Sequence, residues 1–241
     1  MITGIVVALP EELSTLTSKK LVRGSSCFIS KNVLVIYSGT GPTNARRSAE
    51  YLITQGATKL ISWGCAAGLI ASLRPGDLIL ASHLLEVKDG KDIEFNISSK
   101  WHIHTKKLFS TFIKVNSCRL VESKHIVSTS DEKNKIHLNT KAVALDMESI
   151  AIAKVANKYK LPYLAIRVIA DPAEMNLPLA ISHSVNQEGE VSLSKLLVYL
   201  ARHPTELPGL VRLGLHFKAA KTTLKIVAKH LDTVAVFEEV Q

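Results

Sequence analysis

The feature that most constrains the fold of this chain is a series of short apolar segments, many rich in β-branched residues, that alternate with segments of helical periodicity. The apolar segments are predicted to be strands, at residues 2–9, 33–37, 60–63, 78–85, 126–128, 143–145 and 161–170. Strands that are apolar on both faces occur in sheets covered by helices on both sides, and such sheets are largely parallel. The pattern predicts an α/β fold.

Helical segments, with apolar residues three or four positions apart, are predicted at 43–55, 147–159, 192–202 and 207–231. Residues 86–124 lack a clear pattern and are predicted to form loops and a short helix outside the sheet. The polar stretch 186–190 is interpreted as an exposed crossing. No linker rich in Pro, Gly or Ser divides the chain. We therefore predict one domain over residues 1–241, in which 176–241 form a helical C-terminal extension.

Composition excludes several classes of protein. Hydrophobic residues make up 46% of the chain and charged residues 21%, which is typical of a globular domain. No run of about 18 uncharged apolar residues is present, so a membrane-spanning helix is not expected. The apolar start runs into Glu11 and Glu12, unlike a signal peptide. With three cysteines, too few for a disulfide framework, the chain is expected to be cytoplasmic.

Acidic residues and glycine turns follow several predicted strands, where open α/β sheets bind their ligands. They lie at 11–12 after the first strand, 39–41 after the second, 64–68 after the third, 146–148 after the short strand at 143–145, and at Asp171 after the last. Carboxylates gathered at one rim repel each other unless a ligand or a shared proton uses them. The sequence therefore predicts a ligand site at this rim.

Each residue of this rim also has a purely structural interpretation. Glu12, Asp146 and Glu148 could be favourable charges in the first turns of helices, and Asp171 could be a turn residue. The glycine turn at 39–41 has neither the spacing of a dinucleotide-binding loop nor the lysine of a phosphate-binding P-loop. Only the convergence of these residues favours a functional site.

Two other patterns do not predict a reactive centre. Cys65 has no candidate base nearby in sequence, so a structural role in a tight turn is favoured over a nucleophile. His102 and His104 are two positions apart, but no third ligand is evident, so no metal site is predicted.

Five motifs in a fixed order resemble the superfamily of nucleoside phosphorylases and methylthioadenosine/adenosylhomocysteine nucleosidases. They are Gly-Ile-Val-Val-Ala-Leu-Pro-Glu-Glu at 4–12, Ser-Gly-Thr-Gly at 38–41, Gly-Cys-Ala-Ala-Gly at 64–68 followed by Pro-Gly-Asp-Leu at 75–78, Asp-Met-Glu-Ser at 146–149, and Arg-Val-Ile-Ala-Asp-Pro-Ala at 167–173. The resemblance covers about residues 2–175. It implies a three-layer α/β/α sandwich around a mixed sheet, assembled as a homo-oligomer, commonly a dimer.

The C-terminal part resembles the hopanoid-associated phosphorylase branch of this superfamily. The similarity lies in Leu-Pro at 177–178, Arg-His-Pro at 202–204 and Leu-Pro-Gly-Leu at 207–210. It implies that the chain removes adenine from adenosylhopane, a lipid-linked nucleoside. The alternative is a nucleosidase or phosphorylase for a small soluble nucleoside such as methylthioadenosine.

The resemblance also implies roles for individual residues. Glu148 would accept hydrogen bonds from the ribose hydroxyls, and Met147 would pack near the sugar. Asp171 would protonate N7 of the purine, since neutral adenine leaves far more easily than its anion, and Glu12 would be the base for an attacking water. Further substrate contacts are implied for Gly41, Gly64 and Cys65.

The nucleophile is expected to be water rather than phosphate. Phosphate-using relatives have one arginine in the first loop and a second arginine two residues before the glycine turn. This chain has Leu-Pro-Glu-Glu at 9–12 in the first loop and Ser62 at the second position. Phosphate beside Glu12 would meet like-charge repulsion. Thr40 and Arg46 are the candidate phosphate ligands if phosphate is a co-substrate, although Arg46 could be a surface residue. No other cofactor is expected.

The resemblance leaves adenine recognition open. The aromatic segment with which the nucleosidases stack on the base corresponds to about 130–133, where this chain has no aromatic residue. Backbone groups, or an aromatic residue from elsewhere such as Trp63 or Trp101, are the alternatives.

The positive charge is concentrated near the C-terminus. The formal net charge is +9, and residues 191–231 hold seven basic side chains against a single acidic one, Glu206. The basic C-terminal helix predicted in this region could pack on the domain with a solvated basic face, or it could lie on an anionic membrane surface. Aromatic residues are only 5%, so a nucleic-acid partner is not expected. A non-catalytic nucleoside or polyanion binder is the alternative of another class.

Overall fold

The computed structural model describes residues 1–88, 91–97, 99–184 and 193–237. Its strands are β1 (Ile2–Val7), β2 (Ser26–Ser30), β3 (Val33–Tyr37), β4 (Ala57–Gly68), β5 (Leu78–Lys88), β6 (Lys91–Asn96), β7 (Val115–Glu122), β8 (Ala144–Asp146) and β9 (Tyr163–Asp171). Its helices are α1 (Pro10–Leu13), α2 (Pro42–Thr54), α3 (Ser99–Phe109), α4 (Ser130–Thr140), α5 (Ser149–Lys158), α6 (Leu179–Ser184), α7 (Leu193–Arg202), α8 (Leu207–Ala228) and α9 (Leu231–Ala235). The polar stretch 186–190 lies outside the described residues.

All the described strands belong to one mixed sheet. Its order is β2-β3-β1-β4-β8-β7-β5-β6, and β9 pairs with both β4 and β5. The pairs β1–β3, β1–β4, β4–β9, β5–β7 and β7–β8 are parallel, whereas β2–β3, β4–β8, β5–β6 and β5–β9 are antiparallel. Helices cover both sides of the sheet, which confirms the predicted α/β/α sandwich.

The carboxyl ends of β1 and β9 are brought to the two sides of β4. Val7, at the end of β1, is in register with Trp63, and Asp171, at the end of β9, is in register with Ala67. All nine residues of β9 are buried, as expected for a central strand between two helical layers. This arrangement places the end of β4 beside both predicted catalytic carboxylates.

The helical C-terminal extension is confirmed, and only part of it packs on the sheet. The second half of α8 buries Ala220, Leu224 and Val227, while Leu207 and Val211 in its first half are exposed. No helix among the described residues is long and apolar enough to cross a bilayer.

Three predictions about secondary structure are wrong. Residues 64–68 continue β4 as a strand instead of forming a turn, and 126–128 do not form a strand. The stretch 86–124, expected outside the sheet, contributes β6 and β7, although the short helix predicted within it is present as α3. The physical reason for the last error is that β7 is largely half-buried and carries polar residues on a strand that still pairs along both edges.

Candidate active site

Glu12 lies on the short helix α1, and its carboxylate turns back towards the sheet. One oxygen, Oε1, accepts the backbone N–H of Cys65 at 2.7 Å, and Oε2 accepts that of Leu9 at 3.1 Å. The residue is only 2% exposed. Burial raises the pKa of Glu12 to about 7, although Arg167 and the two N–H groups lower it. A carboxylate with this pKa can take a proton from water near neutral pH.

Gly64 is adjacent to this carboxylate and has no room for a side chain. A Cβ atom at this position would lie 2.5 Å from Oε1 of Glu12 and 2.6 Å from Nη1 of Arg167. Since these contacts are shorter than van der Waals separation, a larger residue would displace one of the two charged groups. The glycine therefore allows the end of β4 to approach the Glu12 carboxylate.

Arg167, in the middle of β9, neutralises the carboxylates of the site. Its Nη2 atom lies 2.5 Å from Oδ2 of Asp146 and 3.8 Å from Oε2 of Glu148, and it donates to Ser62 Oγ at 2.5 Å. Ser149 Oγ donates to the same Asp146 oxygen at 2.5 Å. The surrounding carboxylates hold the pKa of Arg167 above its ordinary value against the effect of burial. Sequence reasoning missed this residue, although an arginine inside an apolar strand indicates a buried ion pair.

Glu148 follows β8 and faces the glycine turn after β3. Its Oε1 atom accepts the N–H of Gly41 at 2.9 Å. Gly41 has φ of 91°, in the left-handed region that favours glycine. Burial raises the pKa of Glu148, and Arg167 opposes this effect. Beside it in sequence, Met147 is half-buried.

Asp171 ends β9 and is held by a lysine that the sequence did not indicate as functional. Lys133 of α4 is fully buried, and its Nζ lies 2.7 Å from Oδ1 of Asp171. Burial raises the pKa of Asp171 to about 6, while Lys133 lowers it. Lys133 directly follows Asp131 and Glu132, so in the sequence it is one of a run of charged residues and gives no sign that it is buried.

The predicted site residues fall into two groups. Contacts, in part through Arg167, join the predicted residues Glu12, Gly64, Cys65, Glu148 and Gly41 in one cluster. Asp171 is in register with Ala67, two residues beyond Cys65, which corresponds to about 7 Å along a strand. Thr40 lies in the turn next to Gly41, whereas Arg46 is exposed on α2.

The two tryptophans proposed for base stacking belong to the core. Both Trp63 and Trp101 are 0% exposed. Their indole N–H groups donate to Thr15 Oγ1 at 3.0 Å and to the carbonyl of Val234 at 2.9 Å. A base cannot stack on either ring, because both are fully covered by protein.

A groove elsewhere on the molecule is separate from this site. It has a volume of about 740 Å³ and is lined by Phe95, Pro162 and Tyr163, among others. Tyr163 is the first residue of β9 and Asp171 the last, so the groove lies at the opposite end of that strand. None of the three carboxylates Glu12, Glu148 and Asp171 lines it.

The site combines three functions needed to break a bond at an acetal carbon. Asp171 is a carboxyl group raised in pKa and able to donate a proton, and Glu12 is a carboxylate able to accept one. Glu148 presents negative charge where hydroxyl groups or a developing cation could bind. Among the described residues, no group of three or more His, Cys, Asp or Glu side chains could hold a metal ion.

Comparison with known proteins identifies related chains. A family model described as Phosphorylase superfamily matches residues 3–202. The 5'-methylthioadenosine/S-adenosylhomocysteine nucleosidase of Baumannia cicadellinicola subsp. Homalodisca coagulata is 29% identical over 76% of this chain and 95% of its own length. The protein of the same description from Shewanella denitrificans is 26% identical over 82% of this chain and 97% of its own.

Solved structures share the fold at lower sequence identity. The Helicobacter pylori 5'-methylthioadenosine/S-adenosyl homocysteine nucleosidase superposes with a TM-score of 0.71, at 18% identity and 96% coverage of both chains. The futalosine hydrolase of Helicobacter pylori gives a TM-score of 0.69, also at 18% identity and 96% coverage of both chains.

Proposed function

Because the chain belongs to the phosphorylase superfamily, we propose that it cleaves the N-glycosidic bond of an adenine nucleoside, with water as the nucleophile. The predicted enzyme class, nucleosidases and nucleoside phosphorylases, is confirmed by its relatives. The observation that carries the proposal is the burial of Glu12, Glu148 and Asp171 beside the end of β4. Each has a pKa raised by burial, as acid–base catalysis near neutral pH requires.

In the proposed mechanism, Asp171 donates its proton to N7 of adenine as the C1′–N9 bond breaks. The electron pair of that bond goes to N9, so adenine leaves as a neutral molecule. Glu148 binds the ribose hydroxyls, and its negative charge stabilises the oxocarbenium-like sugar. Glu12 removes a proton from the water that attacks C1′.

Three features of the site favour water over phosphate. In the proposed mechanism the Glu12 carboxylate faces C1′, and there it would repel a phosphate. Arg167 is buried and already paired with Asp146 and Glu148, so its charge is not free for an anion. Ser62 accepts a hydrogen bond from Arg167 instead of supplying positive charge.

Glu12→Gln is expected to lower the rate of adenine release by about 10²–10⁴-fold, because the amide cannot act as a base. The measurement is adenine release from methylthioadenosine, with and without inorganic phosphate. The control is Glu11→Gln, which changes the exposed neighbouring carboxylate and should leave the rate unchanged. Turnover that depends on phosphate would exclude hydrolysis.

For the substrate, the relatives favour a small 5′-thio-substituted adenine nucleoside. The relatives described above are nucleosidases for 5'-methylthioadenosine and S-adenosylhomocysteine, at 26–29% identity over most of their length. We therefore place the soluble nucleoside ahead of adenosylhopane. Release of adenine from both substrates, compared at equal concentrations, distinguishes the two.

One surface supports adenosylhopane as the second candidate. We call it the α7–α8 face, and its exposed apolar residues are Leu197, Val198, Leu207, Val211 and Leu215. The same two helices carry the exposed basic side chains of Lys195, Arg202, Arg212 and Lys218, and the acidic Glu206 lies between the helices in sequence. Exposed apolar residues mixed with cations match the chemistry of an anionic lipid surface. We propose that this face contacts such a surface, where a lipid-linked nucleoside would be found.

Vesicle flotation tests the α7–α8 face. The protein is expected to float with vesicles that contain anionic lipid and not with neutral ones, because each basic residue near the surface contributes about 1 kcal/mol. Replacing Leu207, Val211 and Leu215 together by Ser should abolish flotation, while Val22→Ser, at another exposed valine, should not.

Two results would remove the lipid proposal. The first is equal, negligible binding to both kinds of vesicle. The second concerns the predicted homodimer, measured by light scattering. If the triple replacement converts dimers to monomers, a second copy of the chain covers the α7–α8 face.

A further inference from the structure

We propose that Lys133 is a positioning residue for the acid of the site: it orients the Asp171 carboxyl group and stabilises the carboxylate left after proton transfer. The inference rests on the proposed cleavage of a nucleoside. It adds to that mechanism a buried cation that is separate from Arg167.

Three hydrogen bonds fix the ammonium group of Lys133. It donates to Asp171 Oδ1 at 2.7 Å, to the carbonyl of Pro172 at 3.0 Å and to the carbonyl of Met175 at 2.8 Å. An ammonium group has three N–H donors, and all three are used. The lysine therefore connects α4 to the catalytic carboxyl group and to the segment that follows it.

The start of α4 holds this lysine in place. Thr129 and Glu132 form a capping box at the first turn, in which each side chain accepts a hydrogen bond from the other's backbone N–H. The N–H of Ser130 also donates to Asn176 Oδ1 at 2.7 Å. The first turn of α4, which carries Lys133, is thus also bonded to the segment that follows Asp171.

The pairing leaves one oxygen of Asp171 for the substrate. Within the described residues, the hydrogen bonds to its carboxyl group reach Oδ1, and 12% of the side chain is exposed. In the reaction, the proton on Oδ2 moves to N7 and the C1′–N9 electron pair moves to N9. Asp171 becomes a carboxylate that is already paired with Lys133, and it takes a new proton from water after adenine leaves.

The electrostatic surroundings of Asp171 make Lys133 the dominant charge. The carboxylates nearby in sequence, Asp131 and Glu132 on α4 and Glu174 after β9, are all exposed. Burial raises the pKa of Asp171 to about 6, and Lys133 opposes burial both as a charge and as a donor. Without this cation, the acid would be weaker and would donate its proton less readily.

The experiment compares wild type with Lys133→Met and Lys133→Arg, using the pH dependence of kcat for adenine release. In Lys133→Met, the pKa of Asp171 should rise by roughly one to three pH units. The limb on which the rate falls with loss of the Asp171 proton should therefore move to higher pH. The maximal rate should fall by up to about 10²-fold. Lys133→Arg, which keeps the charge, should keep the wild-type limb.

A second substrate separates this role from a purely structural one. In a 4-nitrophenyl riboside the leaving group is 4-nitrophenolate, which departs as an anion without protonation, so Lys133→Met should hydrolyse this substrate at nearly the wild-type rate. In an Asp171→Asn background, Lys133→Met should have little further effect on adenine release, because the two residues act as one unit.

Distinct results overturn the inference and the proposed function. An unshifted limb in folded Lys133→Met, or an equal loss with both substrates, shows that Lys133 is only structural. If Lys133→Met does not fold, Lys133→Gln is combined with Asp171→Asn instead. A further loss of adenine release in this double variant, additive to that of Asp171→Asn, also shows that Lys133 is only structural. If wild type releases no adenine from any nucleoside, the proposed function fails instead.

Discussion

Asp171→Asn is expected to lower the rate of adenine release by about 10²–10⁴-fold, since the amide has no proton to give to N7 of the base. The amide is nearly the same size, and it can still accept a hydrogen bond from Lys133 at the oxygen now 2.7 Å away. The fold should therefore be kept while the chemical step is lost. The measurement is single-turnover release of adenine from methylthioadenosine.

The matched control for this variant is Asp131→Asn, which changes an exposed carboxylate on α4. Its rate should equal that of wild type. A 4-nitrophenyl riboside should be cleaved by Asp171→Asn at close to the wild-type rate, because that leaving group needs no proton. Wild-type adenine release by Asp171→Asn would show that another group is the acid.

The same assignment determines how the rate depends on pH. Asp171 acts in its protonated form, although its pKa of about 6 is the lower of the two, and Glu12 acts as the deprotonated base, with a pKa of about 7. The active form of the enzyme is therefore a minor one, and its fraction should rise with pH up to about 6 and fall above about 7. Together they give a bell-shaped profile with its maximum between these values, whose two apparent pKa values belong to the pair.

Arg167→Met is expected to lower the free energy of unfolding by about 3–5 kcal/mol. The replacement leaves Asp146 and Glu148 buried without the cation that lies 2.5 Å and 3.8 Å from them. For a chain of this length, that loss corresponds to a drop in Tm of roughly 6–20 °C. Thermal and urea unfolding followed by circular dichroism measure it.

Two further variants test whether the charges are the cause. Adding Asp146→Asn to Arg167→Met removes one of the unpaired carboxylates, and it should restore part of the lost stability. Arg47→Met, at an exposed arginine on α2, should change stability by no more than about 0.5 kcal/mol. If Arg167→Met unfolds like wild type, the buried charges are compensated by groups other than Arg167.

The sequence predicted most strands of the inner sheet because they are apolar on both faces. β3, β5 and β9 were found close to their observed bounds for this reason. The prediction from sequence failed for β7, because its polar residues do not indicate a strand that pairs with two neighbours. It also failed for 64–68, where the small residues are typical of a turn. Periodicity detects burial on both faces or alternation between them, and β7 shows neither.

The chain alone predicted that Glu12, Glu148 and Asp171 lie at one rim, since each follows a strand and strand ends in such sheets share a rim. Only the tertiary structure decided which cation faces which carboxylate. Lys133 and Asp171 are 38 residues apart, and they meet because α4 docks beside the end of β9. Arg167 reaches Asp146 because β8 and β9 both pair with β4. The local sequence determines periodicity and helix capping. Contacts between residues far apart in the sequence depend on strand register and helix docking, and these are set only when the whole chain folds.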